Sequence, residues 1–144
     1  MANKKNVGKK ASGRFFHCGA LPVVLHYAAN KEEWDNDLVA RFKADPKDHP
    51  YPTNPGRCMT WEDVTGLGYD RVSITINPVP GYDLVQVVAL IAHEATHAVD
   101  YLYEAMNEKV RNTELSAYFA DWVVANIFNA WCEDNNIKIT LDTD

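Results

Sequence analysis

Residues 83 to 97 read Asp83-Leu84-Val85-Gln86-Val87-Val88-Ala89-Leu90-Ile91-Ala92-His93-Glu94-Ala95-Thr96-His97. Asp83 and, three residues on, Gln86 have the form of a capping box, and they follow the breaker run Pro78-Val79-Pro80-Gly81. The apolar residues from Leu84 to Ala92 cover nearly the whole helical circumference, which predicts a buried helix. The last five residues carry the H-E-x-x-H spacing. Side chains four apart on a helix are neighbours, so His93 and His97 can reach one ion while Glu94 lies at its flank. A buried helix must satisfy its polar side chains, so two imidazoles and a carboxylate there point to a bound metal, and these donors suit zinc better than calcium or magnesium.

Zinc sites recruit three or four protein groups, so a third ligand is expected. A third histidine at position 103 with glycine at 100 is absent, because the chain has Asp100 and Tyr103. A second helical pattern opens at Asn112-Thr113-Glu114, with Thr113 as the expected N-cap and Leu115, Phe119, Trp122, Val123, Ile127 and Trp131 as its apolar stripe. The connection between the two helices is long enough for an antiparallel return that brings Glu114 back to the histidines. An acid in a first turn is also favoured by the helix dipole, so Glu114 has a structural reading beside the ligand reading.

Glu114-Leu115-Ser116-Ala117-Tyr118 resembles the E-x-x-A-D or E-x-x-A-Y element that supplies the third zinc ligand in gluzincin proteases. Tyr118 stands where many gluzincins have an aspartate that bonds a metal-bound histidine; Asp121, one turn on, or Asp100 could take that role. The order of Tyr51-Pro52-Thr53-Asn54-Pro55-Gly56-Arg57-Cys58, a strand pair, the His93–His97 pentad and then Glu114–Tyr118 resembles small metallopeptidase-like proteins that recur in tailed-phage genomes, over roughly residues 31 to 130. The resemblance implies an α+β fold: one zincin-like domain with a small, mostly antiparallel sheet packed on the metal-binding helix and a second long helix towards the C-terminus. It implies Zn2+ as cofactor, His93, His97 and Glu114 as ligands, and a protein or peptide as substrate. In such a site zinc activates a water and Glu94 takes its proton as general base. Tyr118 is the first candidate for stabilising the oxyanion, and His17, His26 and His49 are others.

Upstream, Leu21 to Tyr27 suits a strand, and Asn30 caps a helix carrying Trp34, Leu38, Val39 and Phe42 that stops near Pro46. Four prolines and a glycine make residues 46 to 56 a loop. Arg57 to Val64 and Tyr69 to Asn77 are strand candidates, and Val72, Ile74 and Ile76 alternate cleanly with Ser73, Thr75 and Asn77. The strand above the metal helix could accept an extended peptide along a free edge, or the 46–56 loop could cover that edge.

With 144 residues, 47% of them hydrophobic, the chain suits one domain over residues 15 to 144 behind a basic, flexible tail over residues 1 to 14. That tail holds five of the 14 basic residues and no acid, whereas the whole chain has 20 acidic residues and a net charge of -6. An acidic body argues against nucleic acid as the principal partner. Three cysteines, Cys18, Cys58 and Cys132, form no C-x-x-C pair and read as small buried hydrophobes. No apolar run has bilayer-spanning length, and no signal-peptide pattern follows the basic opening, so the expected location is the cytoplasm of a bacterium or infected host, with virion association as a further possibility. Other classes stay open beside the peptidase: a hydrolase of another amide such as a cell-wall crosslink, a catalytically inactive zincin-fold phage binding or virion protein with a structural zinc, and chance occurrence of the motif.

Overall fold

The computed structural model describes residues 11–19, 21–63 and 68–139. Its sheet has four strands, β1 (Arg14–His17), β2 (Val23–Tyr27), β3 (Gly56–Trp61) and β4 (Asp70–Ile76), in the order β1-β2-β4-β3. The outer pairs are antiparallel, and β2 runs parallel to β4, with Leu25 opposite Val72. Among the described residues three helices complete the α+β architecture: α1 (Lys31–Asp37), continued by a π-helical turn over Leu38–Phe42, then α2 (Leu84–Ala105) and α3 (Thr113–Asp134). The α+β expectation holds, and the sheet is mostly antiparallel as expected, with β2–β4 as its one parallel pair.

Each strand feeds two layers. Val23, Leu25, Tyr27, Val72, Ile74 and Ile76 point to one face and are sealed by Val87, Ile91, Ala95 and Leu102 of α2 with Phe119, Val123 and Ile127 of α3. Burial of such side chains at about 1.5–3 kcal/mol each makes this the main stabilising layer. The opposite face lies under α1, where Trp34, Leu38 and Phe42 form a second cluster with Ala28. The Val72–Asn77 alternation is the pattern of a half-buried strand, yet Ser73 and Thr75 are as buried as their apolar neighbours, because α1 covers their side too.

A polar chain runs through that second layer. The Trp61 indole N–H donates to Ser73 Oγ at 2.9 Å, Ser73 Oγ lies 2.8 Å from His26 Nδ1, and His26 Nε2 lies 2.8 Å from Asp37 Oδ2. An indole can only donate and a carboxylate can only accept, so the consistent arrangement has Ser73 donating to Nδ1 and a neutral His26 donating from Nε2. Burial pushes the His26 pKa down and outweighs the pull of Asp37. For Asp37 burial acts upward, but bonds from His26, the Ser12 hydroxyl and the Gly13 N–H together hold its carboxyl below the usual range.

Those bonds also redraw the N-terminal boundary. Residues 1 to 10 of the expected tail lie outside the described residues, but Ser12 and Gly13 are tied to Asp37 and Arg14 opens β1, pairing with Asp134 at 2.7 Å and Glu133 at 3.2 Å. The expected flexible tail over residues 1 to 14 therefore extends too far, since its basic composition hid a short edge strand.

At the start of α2 the capping box is complete. Asp83 Oδ1 accepts from the Gln86 N–H and Gln86 Oε1 from the Asp83 N–H, each at 2.8 Å. Replacing Asp83 by Ala should cost about 1 kcal/mol in urea unfolding; an unchanged midpoint would mean the cap carries no stability. The expectation that α2 is buried all round fails. Val85 is 76% exposed, and Leu84 and Val88 are also in solvent. The sheet and α3 take only the Val87–Ile91–Ala95–Ala98–Leu102 side, and nothing described packs on the other.

Tyr103, buried at the end of α2, donates its hydroxyl to the Asn112 carbonyl at 3.0 Å and so fixes the return into α3. The N-cap of α3 is Asn112, whose side chain accepts from the Leu115 N–H at 3.0 Å, rather than Thr113, which becomes the first helical residue. Among the described residues no helix is long and apolar enough to cross a membrane. All three cysteines are free; Cys132 is buried, and Cys18 and Cys58 are only half-buried.

Candidate metal centre and cleft

The pentad lies in the middle of α2, far from frayed ends. A helix turns each successive residue by about 100°. Glu94 consequently faces inward beside Ala95, while His93, Thr96 and His97 face solvent. The two imidazoles converge, with Nε2 atoms 3.3 Å apart and ring planes at 75°. For a zinc with Zn–N bonds of about 2.0–2.1 Å and tetrahedral angles near 109°, two nitrogen ligands sit about 3.3–3.4 Å apart. The pair therefore has the spacing of one edge of a zinc tetrahedron. It is long for a hydrogen bond between ring nitrogens.

Glu94 is only 5% exposed. Burial raises its pKa, opposed by the neighbouring His93 and His97 and more weakly by Arg57. Its carboxylate lies against the first residue of β3: a β-carbon on Gly56 would stand 2.8 Å from Glu94 Oε1 and 2.7 Å from Leu90 Cδ1. Cys58, two residues along β3, is on the same side, and its thiol is pushed up by burial and by the charges of Glu94 and Asp100.

In front of this carboxylate is an open cleft of about 520 Å³ between the Asn54–Gly56 segment and α2, walled by Tyr82, Gln86, Ala89, Leu90 and His93. β3 is the last strand of the sheet, and among the described residues no backbone hydrogen bond ties its outer edge to another segment. The 46–56 loop instead packs on the α1 side, where Tyr51 bonds Asn77 at 2.9 Å. Among the described residues, then, the 46–56 loop does not pair with that edge.

The other expected site residues are more dispersed. Glu114 is exposed in the first turn of α3, and among the described residues no three His, Cys, Asp or Glu side chains converge as a metal cage, so the structure brings two of the three expected ligands together. Tyr118 is 70% exposed one turn further on. Asp100 is paired with Arg111, which also covers the Tyr103 ring, so it is engaged away from either histidine; Asp121 is exposed. None of the three alternative histidines reaches the cleft. His26 is sealed under α1, His17 ends the opposite edge strand against Tyr69, and His49 packs on Trp61 behind the sheet.

Two features were not read from the sequence. The approach of Gly56 to Glu94 joins residues far apart in the chain, and only the prolines before Gly56 signalled a special backbone there. Ser73, His26 and Asp37 make a Ser–His–Asp arrangement that no spacing announced, but at 1%, 0% and 2% exposure no substrate can reach its hydroxyl, so it is structural. Comparison with family models, with curated proteins and with solved structures returns no match for this chain.

Proposed function

We propose that the chain is a zinc-dependent hydrolase, and within that class a peptidase. The observation that carries this reading is the 3.3 Å Nε2 spacing of His93 and His97 beside a buried Glu94 on an open cleft. His93 and His97 would hold the metal through Nε2, and Glu114, exposed and free to turn, would complete the set from α3. When bound, zinc polarises a substrate carbonyl and makes a coordinated water acidic near neutral pH. Glu94 would accept a proton from the attacking water and return it to the leaving amine, a task that needs a carboxylate beside the two histidines but not itself a ligand. The free edge of β3 pairs with an extended peptide and holds its carbonyl along the cleft. Tyr118, at the solvent side of α3, is the proposed donor to the oxyanion.

A diverse peptide library incubated with zinc-reconstituted protein tests this reading. Cleavage that disappears with a chelator and returns with zinc is expected; zinc-loaded protein that cleaves nothing would contradict it. Glu114→Ala should weaken zinc affinity by more than the ~10–100-fold typical of outer partners, with Glu104→Ala and Glu108→Ala near wild type. If one of those two controls reproduces the loss instead, the third ligand is misassigned. The apolar side chains Leu84, Val85 and Val88 exposed on the same helix favour one second reading, a zinc-holding protein that docks a partner without cleaving it.

A further inference from the structure

We infer that Gly56 is a positioning residue for Glu94, an inference that rests on the proposed role of Glu94 as general base. The carboxylate of Glu94 lies between two walls, the backbone at the head of β3 and the body of α2. On the β3 side the only residue without a side chain is the one it touches. A β-carbon at Gly56 would lie 2.8 Å from Glu94 Oε1, closer than real β-carbons come, and 3.0 Å from its Cγ, at the tight end of real contacts. The same β-carbon would meet Leu90 Cδ1 at 2.7 Å, and Leu90 is one helical turn before Glu94. Glycine at 56 is therefore not required by its own dihedral angles, since it lacks a positive φ; it is required by what lies opposite.

The obstructing atoms decide how a substitution would act. Glu94 Oε1 and Leu90 Cδ1 are the free ends of flexible side chains, not backbone. An alanine is thus accommodated by moving them rather than by moving the strand. The edge strand and α2 stay in place, the exposed His93–His97 pair is untouched, and the displaced group is the carboxylate itself. A shift of well under 1 Å would relieve the contact, and misplacements of about 1 Å in a reacting group can cost about 100-fold in rate. Gly56 thereby holds the base at a fixed depth on the cleft floor, while the first residue of the edge that would pair with a peptide is also the residue that sets this depth.

The test uses the full-length, zinc-loaded chain. Gly56→Ala should keep one zinc per chain, keep a melting temperature within a few degrees of wild type, and lower kcat about 10–100-fold with KM nearly unchanged. A crystal structure of the variant should show the Glu94 carboxylate moved away from residue 56 with the backbone of β3 unmoved. Gly56→Ala/Leu90→Ala, which opens the opposite wall, serves if the single variant does not fold, and it should recover part of kcat where the single variant does. An unmoved carboxylate in the crystal, or a full kcat in an active enzyme, overturns the inference. If wild type shows no zinc-dependent cleavage, the peptidase reading fails separately, and the crystal structure alone then decides whether Gly56 sets the position of Glu94.

Discussion

Glu94→Gln should leave zinc content unchanged and lower peptide cleavage by about 100- to 10,000-fold, the range that one general base commonly supplies. The substitution keeps the shape of the side chain and removes its basicity. Its effect on stability has the opposite sign to its effect on activity. Glu94 is buried, and burial raises its pKa, so its ionised form is the costly one in the folded chain above the ordinary carboxylate pKa. A neutral amide avoids that cost, so the metal-free variant should melt at or above the wild-type temperature at pH 7.5. His93→Ala should instead lose the zinc and the stabilisation that binding adds. Equal cleavage by wild type and Glu94→Gln would remove Glu94 from the chemistry, and a lower melting temperature for metal-free Glu94→Gln would mean the carboxylate serves the fold.

The largest expected loss of stability is at Asp37. Its carboxylate accepts from His26, Ser12 and the Gly13 N–H beneath α1, so Asp37→Ala leaves several donors without their acceptor. Hydrogen bonds to charged groups contribute about 1.5–3 kcal/mol and each abandoned buried partner adds to the loss, so about 3 kcal/mol or more is expected in urea unfolding. Asp121→Ala, on the exposed face of α3, should cost little. The same chain dictates a pH dependence. His26 has a lowered pKa in the folded state, so as pH falls below about 6.5 the unfolded chain gains a proton that the native one refuses. Stability should drop between about pH 7 and pH 5, at up to about 1.4 kcal/mol per unit, and Asp37, whose folded pKa is also lowered, adds a further loss below about pH 4. His26→Gln should flatten the upper part of that curve. A wild-type stability that stays level from pH 7 to pH 5 would mean that His26 takes its proton without unfolding.

The elements written in local chemistry were the legible ones. Asn30 and the Asp83–Gln86 pair cap the helices they were expected to cap, and Val72, Ile74 and Ile76 line the core face of β4. These depend on residues within a few positions, where spacing is close to a physical statement. What covers a surface is not local. Ser73 looks solvent-facing until α1 lies over it, and Val85 looks buried although nothing among the described residues covers it. Asn112 and Thr113 are adjacent capping residues, and Tyr103, nine positions before Asn112, is hydrogen-bonded to its carbonyl where α3 begins. At the site the division is the same: a one-turn spacing brought His93 and His97 together, whereas Glu114 depends on how a loop returns and on the turn of one exposed side chain. The wall that Gly56 gives Glu94 joins two segments through the tertiary fold and left no periodic trace in either.

Whether His93 and His97 form one edge of a zinc site can be read from zinc content together with X-ray absorption at the zinc edge. Wild type, reconstituted and passed through a desalting column, should carry about one zinc per chain, with two imidazoles in its coordination shell at about 2.0–2.1 Å, and His93→Ala and His97→Ala should each lose the metal. Zinc that does not stay with wild type, or that stays equally well with both histidine variants, would mean that this pair does not hold the metal.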